Sequence, residues 1–411
     1  MKFKNLLLAS IPAVALFTVS CSDNDDTQEQ TFDYTVPATY TFEREGATTV
    51  DHGGQTNRIL MLDEMGAYIK NQATANAVID ATKMSNMFVN TNNEFTNSAL
   101  NAATDKQLKN KTAASRDYFV NFLGGGSTVE QADVRAFFEA QFADANAAST
   151  GAEAAEDVAG YYMDGTSKRL FAANGLEPQQ VLLKGMMGAC FMDQISNNYL
   201  SVTVLDEGSN RDNNTNKVLE SGKNYTKMEH LWDEAYGYIY GADNPTASPN
   251  PVYKFWSSYI NQVDGDSDFG TLREDIELAF RKGRAAIVAN DYATRDAQID
   301  IINKKLATVS AVRAIYYLKD GKAKLTTDGG KKAFHALSEG YGFIMSLRYS
   351  KNPATDAPYL SKTEVDAILD ELMGGTNATG LYDIDHLNDV IDGLAEDIAA
   401  KFDFTVAQAA N

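Results

Sequence analysis

Two stretches carry one pattern: "HLWDEAYGYIYG", His230–Gly241, and "HALSEGYGFIMS", His335–Ser346. Each has a histidine, a glutamate four residues on, a tyrosine six on and a glycine seven on. The chain holds only 4 histidines, and two of them sit here. Aligned from Lys227 and Lys332, the copies match at Lys227/Lys332, His230/His335, Glu234/Glu339, Tyr236/Tyr341, Gly237/Gly342 and Ile239/Ile344. An Asn-Pro follows in both, Asn244–Pro245 and Asn352–Pro353. A long apolar or amphipathic helical pattern precedes each. The reading is an internally duplicated helix pair.

On a helix, offsets of 0, 4, 7 and 11 fall within a stripe about 60° wide. The stripes are His230, Glu234, Gly237, Gly241 and His335, Glu339, Gly342, Ser346. Glycine inside a helix costs about 1 kcal/mol relative to alanine. A solvent-facing stripe has no reason to carry that cost twice, so both should face protein or a cleft.

Other segments are also helical. "IINKKLATVSAVRAIYYL" is amphipathic through Ile302, Leu306, Val309 and Val312. "QQVLLKGMMGACFMDQISNNYL" is apolar on most sides and reads as a buried helix with close neighbours at Gly185 and Gly188. "LSKTEVDAILDELMGG" opens with a capping box, Ser361 and Glu364, and stops at Gly374–Gly375. "STVEQADVRAFFEAQF" places Thr128 and Gln131 in the same relation after the Gly124–Gly126 loop. "LYDIDHLNDVIDGLAEDIAAKF" reads as the last helix. "LDEGSNRDNNTNK" (Leu205–Lys217) and "VDGDSDFG" (Val263–Gly270) read as exposed connections. Only residues 32–55 alternate aromatic or β-branched with polar residues, which predicts a short β arm. No strand–helix alternation appears, which argues against a nucleotide-binding α/β fold. The expected class is all-α: an antiparallel helical bundle with a duplicated helix pair and a short N-terminal β arm. It spans residues 32–411, with possible sub-units 32–170 and 171–411.

The start, "MKFKNLLLASIPAVALFTVSC", has Lys2 and Lys4, an apolar run and a small residue before Cys21. That is a secretory signal over residues 1–20. "TVSC" resembles a lipobox, which implies acylation of Cys21. Residues 21–31 form an acidic tether, with "SDNDDTQEQ" at Ser22–Gln30. It resembles the export signal of surface lipoproteins, so the expected place is the outer membrane, lipid-anchored and surface-exposed, with an inward-facing periplasmic anchor as the alternative. The full chain of 411 residues has a net charge of −20. Without residues 1–20 it keeps 34 basic against 56 acidic residues, a net −22. Such a surface repels nucleic acid. With Cys21 acylated, Cys190 is the one remaining thiol, so no disulfide forms within the chain.

A His and a Glu at i, i+4 can form a helix-face ion pair or point at one ion. If the two stripes meet, His230, Glu234, His335 and Glu339 would hold a divalent metal, iron or zinc. His-Glu-x-x-His, Gly-x-Ser-x-Gly and glycine-lysine-Ser/Thr motifs are absent. Asp264, Asp266, Asp268 and Asp275 have calcium-loop spacing, but Phe269 stands where glycine is needed. Trp232, Trp256, Tyr253 and Tyr259 suit core packing or stacking on sugar rings.

"TVPATYTFEREG…VDHGGQTNRILMLDEM" at Thr35–Met65, the lipoprotein start and the duplicated helices resemble an uncharacterised outer-membrane lipoprotein family. That family in turn resembles the imelysin-like proteins, often encoded near iron-uptake receptors. The imelysin motif is Gly-x-His-x-x-Glu. Here Met228 and Ala333 replace the glycine, and the glutamate follows at four residues. The resemblance implies a metal or peptidase role and a place in iron uptake; the leading expectation is a lipoprotein, not an enzyme, that binds a metal ion or metal complex in support of that uptake. Two readings stand beside it: a glycan- or peptide-binding lipoprotein partnering a transport receptor, and an imelysin-like hydrolase.

Overall fold

The alternating segment forms a small hairpin, β1 (Glu43–Arg44) and β2 (Ala47–Thr48), with Glu43 opposite Thr48. Glu45 and Gly46 between them have φ of 54° and 77°. Two positive values in succession are the type I′ turn, whose twist matches that of paired strands. The structure, a computed structural model, describes residues 32–122, 127–374 and 379–411.

Beyond the arm, helices dominate. They are α1 (Gly53–Ala75), α2 (Ala81–Phe88), α3 (Ser127–Ala148) and α4 (Pro178–Met186). Then come α5 (Lys227–Tyr240), α6 (Trp256–Asp264), α7 (Leu272–Ala289) and α8 (Tyr292–Lys324). Last are α9 (Lys331–Leu347), α10 (Lys362–Leu372) and α11 (Ile384–Ala399). Thr226 with Glu229 and Ser361 with Glu364 close capping boxes at the starts of α5 and α10, so the second reads as the sequence predicts. Ile302, Leu306, Val309 and Val312 are buried along α8.

α8 and α9 form an antiparallel hairpin. Gly321 meets Leu337, Gly340 meets Tyr317, and Ser310 Oγ donates to the Phe343 carbonyl. α4 instead runs parallel to α9: Glu177 meets Ser338, Lys184 meets Gly342, and Gly188 meets Ser346. α1 packs on both α4 and α5, and α7 joins α5 to α8. One continuous apolar core fills the space between them, and Tyr34–Asn411 is one compact unit.

The duplication extends past the motif helices. Asn244 pairs with Val252 in an antiparallel bridge between α5 and α6. Asn352 pairs with Ala357 in the short strands Lys351–Asn352 and Ala357–Pro358 between α9 and α10. Each copy is thus helix, Asn-Pro β connection, helix.

Several local features differ from expectation. "GYYMDGTSKRLF" forms a five-residue-per-strand hairpin, Gly160–Asp164 with Ser167–Phe171, so the possible division at residue 170 falls inside a strand. Asn210–Thr215 is helical, with Asn214 wholly buried and its Nδ2 donating to the Ile287 carbonyl at 2.7 Å. A further one-turn helix, Val406–Ala409, follows α11. α4 continues into two π-helical stretches, Met187–Met192 and Ile195–Tyr199, because the buried segment is wound wider than an α-helix. The signal, Cys21, the acidic tether, Gly124–Gly126 and Gly375 lie outside the described residues. No helix of the described residues is long and apolar enough to cross a membrane.

Candidate functional site

Both motif stripes face protein. A Cβ on Gly237 would lie 2.4 Å from His52 Cβ, at the start of α1. A Cβ on Gly342 would lie 2.4 Å from Lys184 Cβ and 2.8 Å from Gly185 N, on α4. The glycines therefore permit helix approaches that alanine forbids.

The two stripes pack on different partners, the first on the start of α1 and the second on α4. In the first, His230 Nε2 stands 4.0 Å from Glu234, and its ring stacks on Tyr225 at 4.4 Å. Glu234 accepts from Gln55 Nε2 at 2.8 Å. In the second, His335 Nδ1 lies 2.6 Å from Glu177 Oε2, and Nε2 lies 3.5 Å from Glu339 Oε2. Lys184 Nζ sits 3.2 Å from the other Glu339 oxygen, and Arg169 stands 3.8 Å from Glu177. Both ring nitrogens of His335 face carboxylates, and lysine and arginine supply the positive charge a metal would bring. Among the described residues no group of three or more His, Cys, Asp or Glu side chains could hold a metal ion.

The calcium spacing has the same outcome. Asp264 accepts from Arg273 N, Asp266 from Asp268 N, and Asp275 pairs with Lys305 at 2.6 Å. These carboxylates close turns and ion pairs. Trp232 and Trp256 are buried, their Nε1 donating to the carbonyls of Phe280 and Met187, each at 3.0 Å. They belong to the core.

A cavity of about 390 Å³ lies where α5, its Asn-Pro connection, α6, α7 and the N-terminal arm converge. The arm is held there by α5 and α7. Tyr40 OH donates to Asp233 at 2.6 Å, and Arg281 donates to the Pro37 carbonyl at 2.7 Å. Tyr40 stacks flat on Tyr236, with centroids 3.6 Å apart and planes within 4°, and Tyr236 meets Tyr240 at 5.0 Å. Tyr253 and Pro245 from the connection complete an aromatic wall.

Opposite stand polar groups. Asp243 accepts from Ser257 Oγ at 2.6 Å and from Lys254 N at 3.0 Å. Burial pushes its carboxyl up to about 6, against the lowering pull of those hydrogen bonds. Arg273 Nε holds Glu277 at 2.9 Å, and Asn261 faces the same space. The Tyr240 hydroxyl is buried with no hydrogen-bond partner among the described residues. The site offers flat apolar faces beside fixed donors and acceptors, in the volume range of small-molecule pockets.

Tyr253 was legible as a candidate stacking residue, and Tyr236 as part of the motif. Asp243, Arg273, Glu277 and Tyr40 were not. The repeated Asn-Pro was the available signal, since each such connection borders a cavity.

The chain belongs to the family described as Domain of unknown function (DUF4856), whose model matches residues 37–405. No curated protein and no solved structure matches it.

Proposed function

We propose that this chain is a lipid-anchored glycan-binding protein that serves nutrient uptake at the outer membrane, beside a transport receptor. The tyrosine-walled cavity at the first Asn-Pro connection carries this reading. Pyranose rings have apolar faces that pack on aromatic rings and hydroxyls that bond to carboxylate, amide and guanidinium groups. The buried, unpartnered Tyr240 hydroxyl is the kind of group a sugar hydroxyl satisfies. The wall is rigid because Tyr40 is stacked and hydrogen-bonded in place, which lowers the ordering cost of binding.

The lipoprotein signal at Cys21 supports the anchor, and the strongly acidic surface supports a partner other than nucleic acid. The imelysin-like resemblance first suggested iron. The ion-paired state of His335, Glu339 and Glu177 favours sugar over metal as the cargo.

A glycan array probed with the labelled chain tests the reading. Binding to a defined sugar class is expected, lost in Tyr253→Ala and weakened in Asp243→Ala, with the circular dichroism spectrum unchanged. Equal binding by wild type and both variants would place the site elsewhere. A blank array with metal bound in stoichiometric amount would return the metal reading to first place.

A further inference from the structure

The second Asn-Pro connection borders its own cavity, of about 500 Å³. Tyr359 and Phe402 stack at 4.5 Å and 11°, Phe402 and Phe404 at 5.5 Å and 25°, and Phe269 meets Phe404 edge-on. Asn352 and the Lys304–Asp403 ion pair, at 2.9 Å, face the same space. The composition parallels the first cavity. Asn352 offers an amide as Asn261 does in the first, and Lys304–Asp403 an ion pair as Arg273–Glu277 does. Each lining balances its charges: Arg273 and Arg281 stand with Asp243 and Glu277 in the first, Lys304 and Lys401 with Asp268 and Asp403 in the second. Neither lining carries a net positive charge for a phosphate or a polyanion, and both suit an uncharged polyol.

Phe269, Lys304 and Thr308 also line an adjoining space of about 410 Å³ at the α6–α7 turn. Leu272 lines that space and the next residue, Arg273, lines the first cavity. The start of α7 therefore borders both the first cavity and the space that adjoins the second.

We propose that the second cavity is a further subsite for the same glycan, so that the ligand is an oligosaccharide chain spanning both clefts. This rests on the sugar-binding reading of the first cavity. A branched or linear chain held at two sites gains affinity with length, because the second contact becomes intramolecular.

The test is an array of α- and β-linked glucose, mannose, xylose and galactose oligomers graded in length. It is probed with the full chain and with Thr308→Arg, Tyr359→Ala and Tyr253→Ala. Arginine on α8 fills the second cavity and keeps helix propensity. Wild-type affinity should rise about tenfold or more from the shortest oligomers to the longest. Thr308→Arg and Tyr359→Ala should abolish that rise and keep short-oligomer binding, and Tyr253→Ala should lose both. Length-independent binding by the wild type overturns the second subsite and leaves the first cavity's reading intact. So does a rise that persists in both second-cavity variants. Absence of any sugar binding overturns both readings.

Discussion

Arg284 Nε donates to Asp233 Oδ1 at 2.9 Å, and neither side chain is exposed to solvent. The same carboxylate oxygen receives the Tyr40 hydroxyl, and Arg284 also reaches Glu229 at 3.2 Å and Thr49 Oγ1 at 3.0 Å. Burial alone would raise the Asp233 carboxyl, and it does, against the pull of Arg284.

This pair sets the first prediction. Asp233→Ala leaves Arg284 with one buried counter-charge fewer and should lower the unfolding free energy by about 3–5 kcal/mol. The double change Asp233→Leu with Arg284→Met replaces two ions by apolar volume and should recover part of that loss. Guanidinium titration of the three proteins checks both. A double variant no more stable than Asp233→Ala would mean that packing, not charge, is at stake.

Glycine position decides the sign of a second effect. Gly342→Ala forces a methyl to within 2.4 Å of Lys184 Cβ. It should destabilise by about 1–3 kcal/mol, as overpacking does. Gly393→Ala on α11 meets nothing within 4 Å and should stabilise by about 0.4–1 kcal/mol. Thermal melts of the two should move in opposite directions.

Asp193 predicts a pH dependence. It is wholly buried, and burial pushes its carboxyl up to about 7 although Ser115 and Ala114 donate to it. An unfolded aspartate titrates near 3.9. The folded state therefore keeps the proton longer, so this group's contribution is most favourable below about pH 4 and declines until about pH 7. Asp193→Asn should flatten the stability profile across that window. A wild-type slope unchanged in the variant would assign it to other groups.

Cys190 gives a chemical test. Burial pushes its thiol up to about 12, and the side chain has no solvent exposure. Ellman's reagent should leave it unmodified in the folded chain and label it fully in guanidinium. Rapid labelling of the native protein would contradict the packing of the π-helical segment.

At the N-terminus, Cys21→Ser should abolish palmitate incorporation and release the protein from the membrane fraction. Unchanged fractionation would show that Cys21 is not its anchor.

Local pattern carried the helices well. The buried faces of α8, the cap of α10 and the inward turn of both stripes follow from spacing and from the cost of glycine, which act within one element. The site was less legible. A His and a Glu at i, i+4 look the same whether they bind metal or pair with charge. The arbiters here are Glu177 and Lys184, on a helix distant in sequence. The first cavity draws Tyr40, Asp243 and Arg273 from three separate segments, and no periodicity within a segment encodes their meeting. The hairpin of Gly160–Asp164 with Ser167–Phe171 hid behind residues with no clean alternation, Lys168 and Arg169 among them.

The arm from Pro37 to Thr49 has a mechanical consequence. It is fastened by Arg281 to Pro37, by Tyr40 to Asp233, by Arg44 to Glu229 and by Arg284 to Thr49. These fasteners lie in series along the chain, ahead of the first long helix. A pull from the N-terminal end loads them one after another, like stitches along a seam, before any force reaches the helices. Tyr40 is both a stitch and a wall of the first cavity, so tension from the N-terminal end and occupancy of that cavity bear on the same ring.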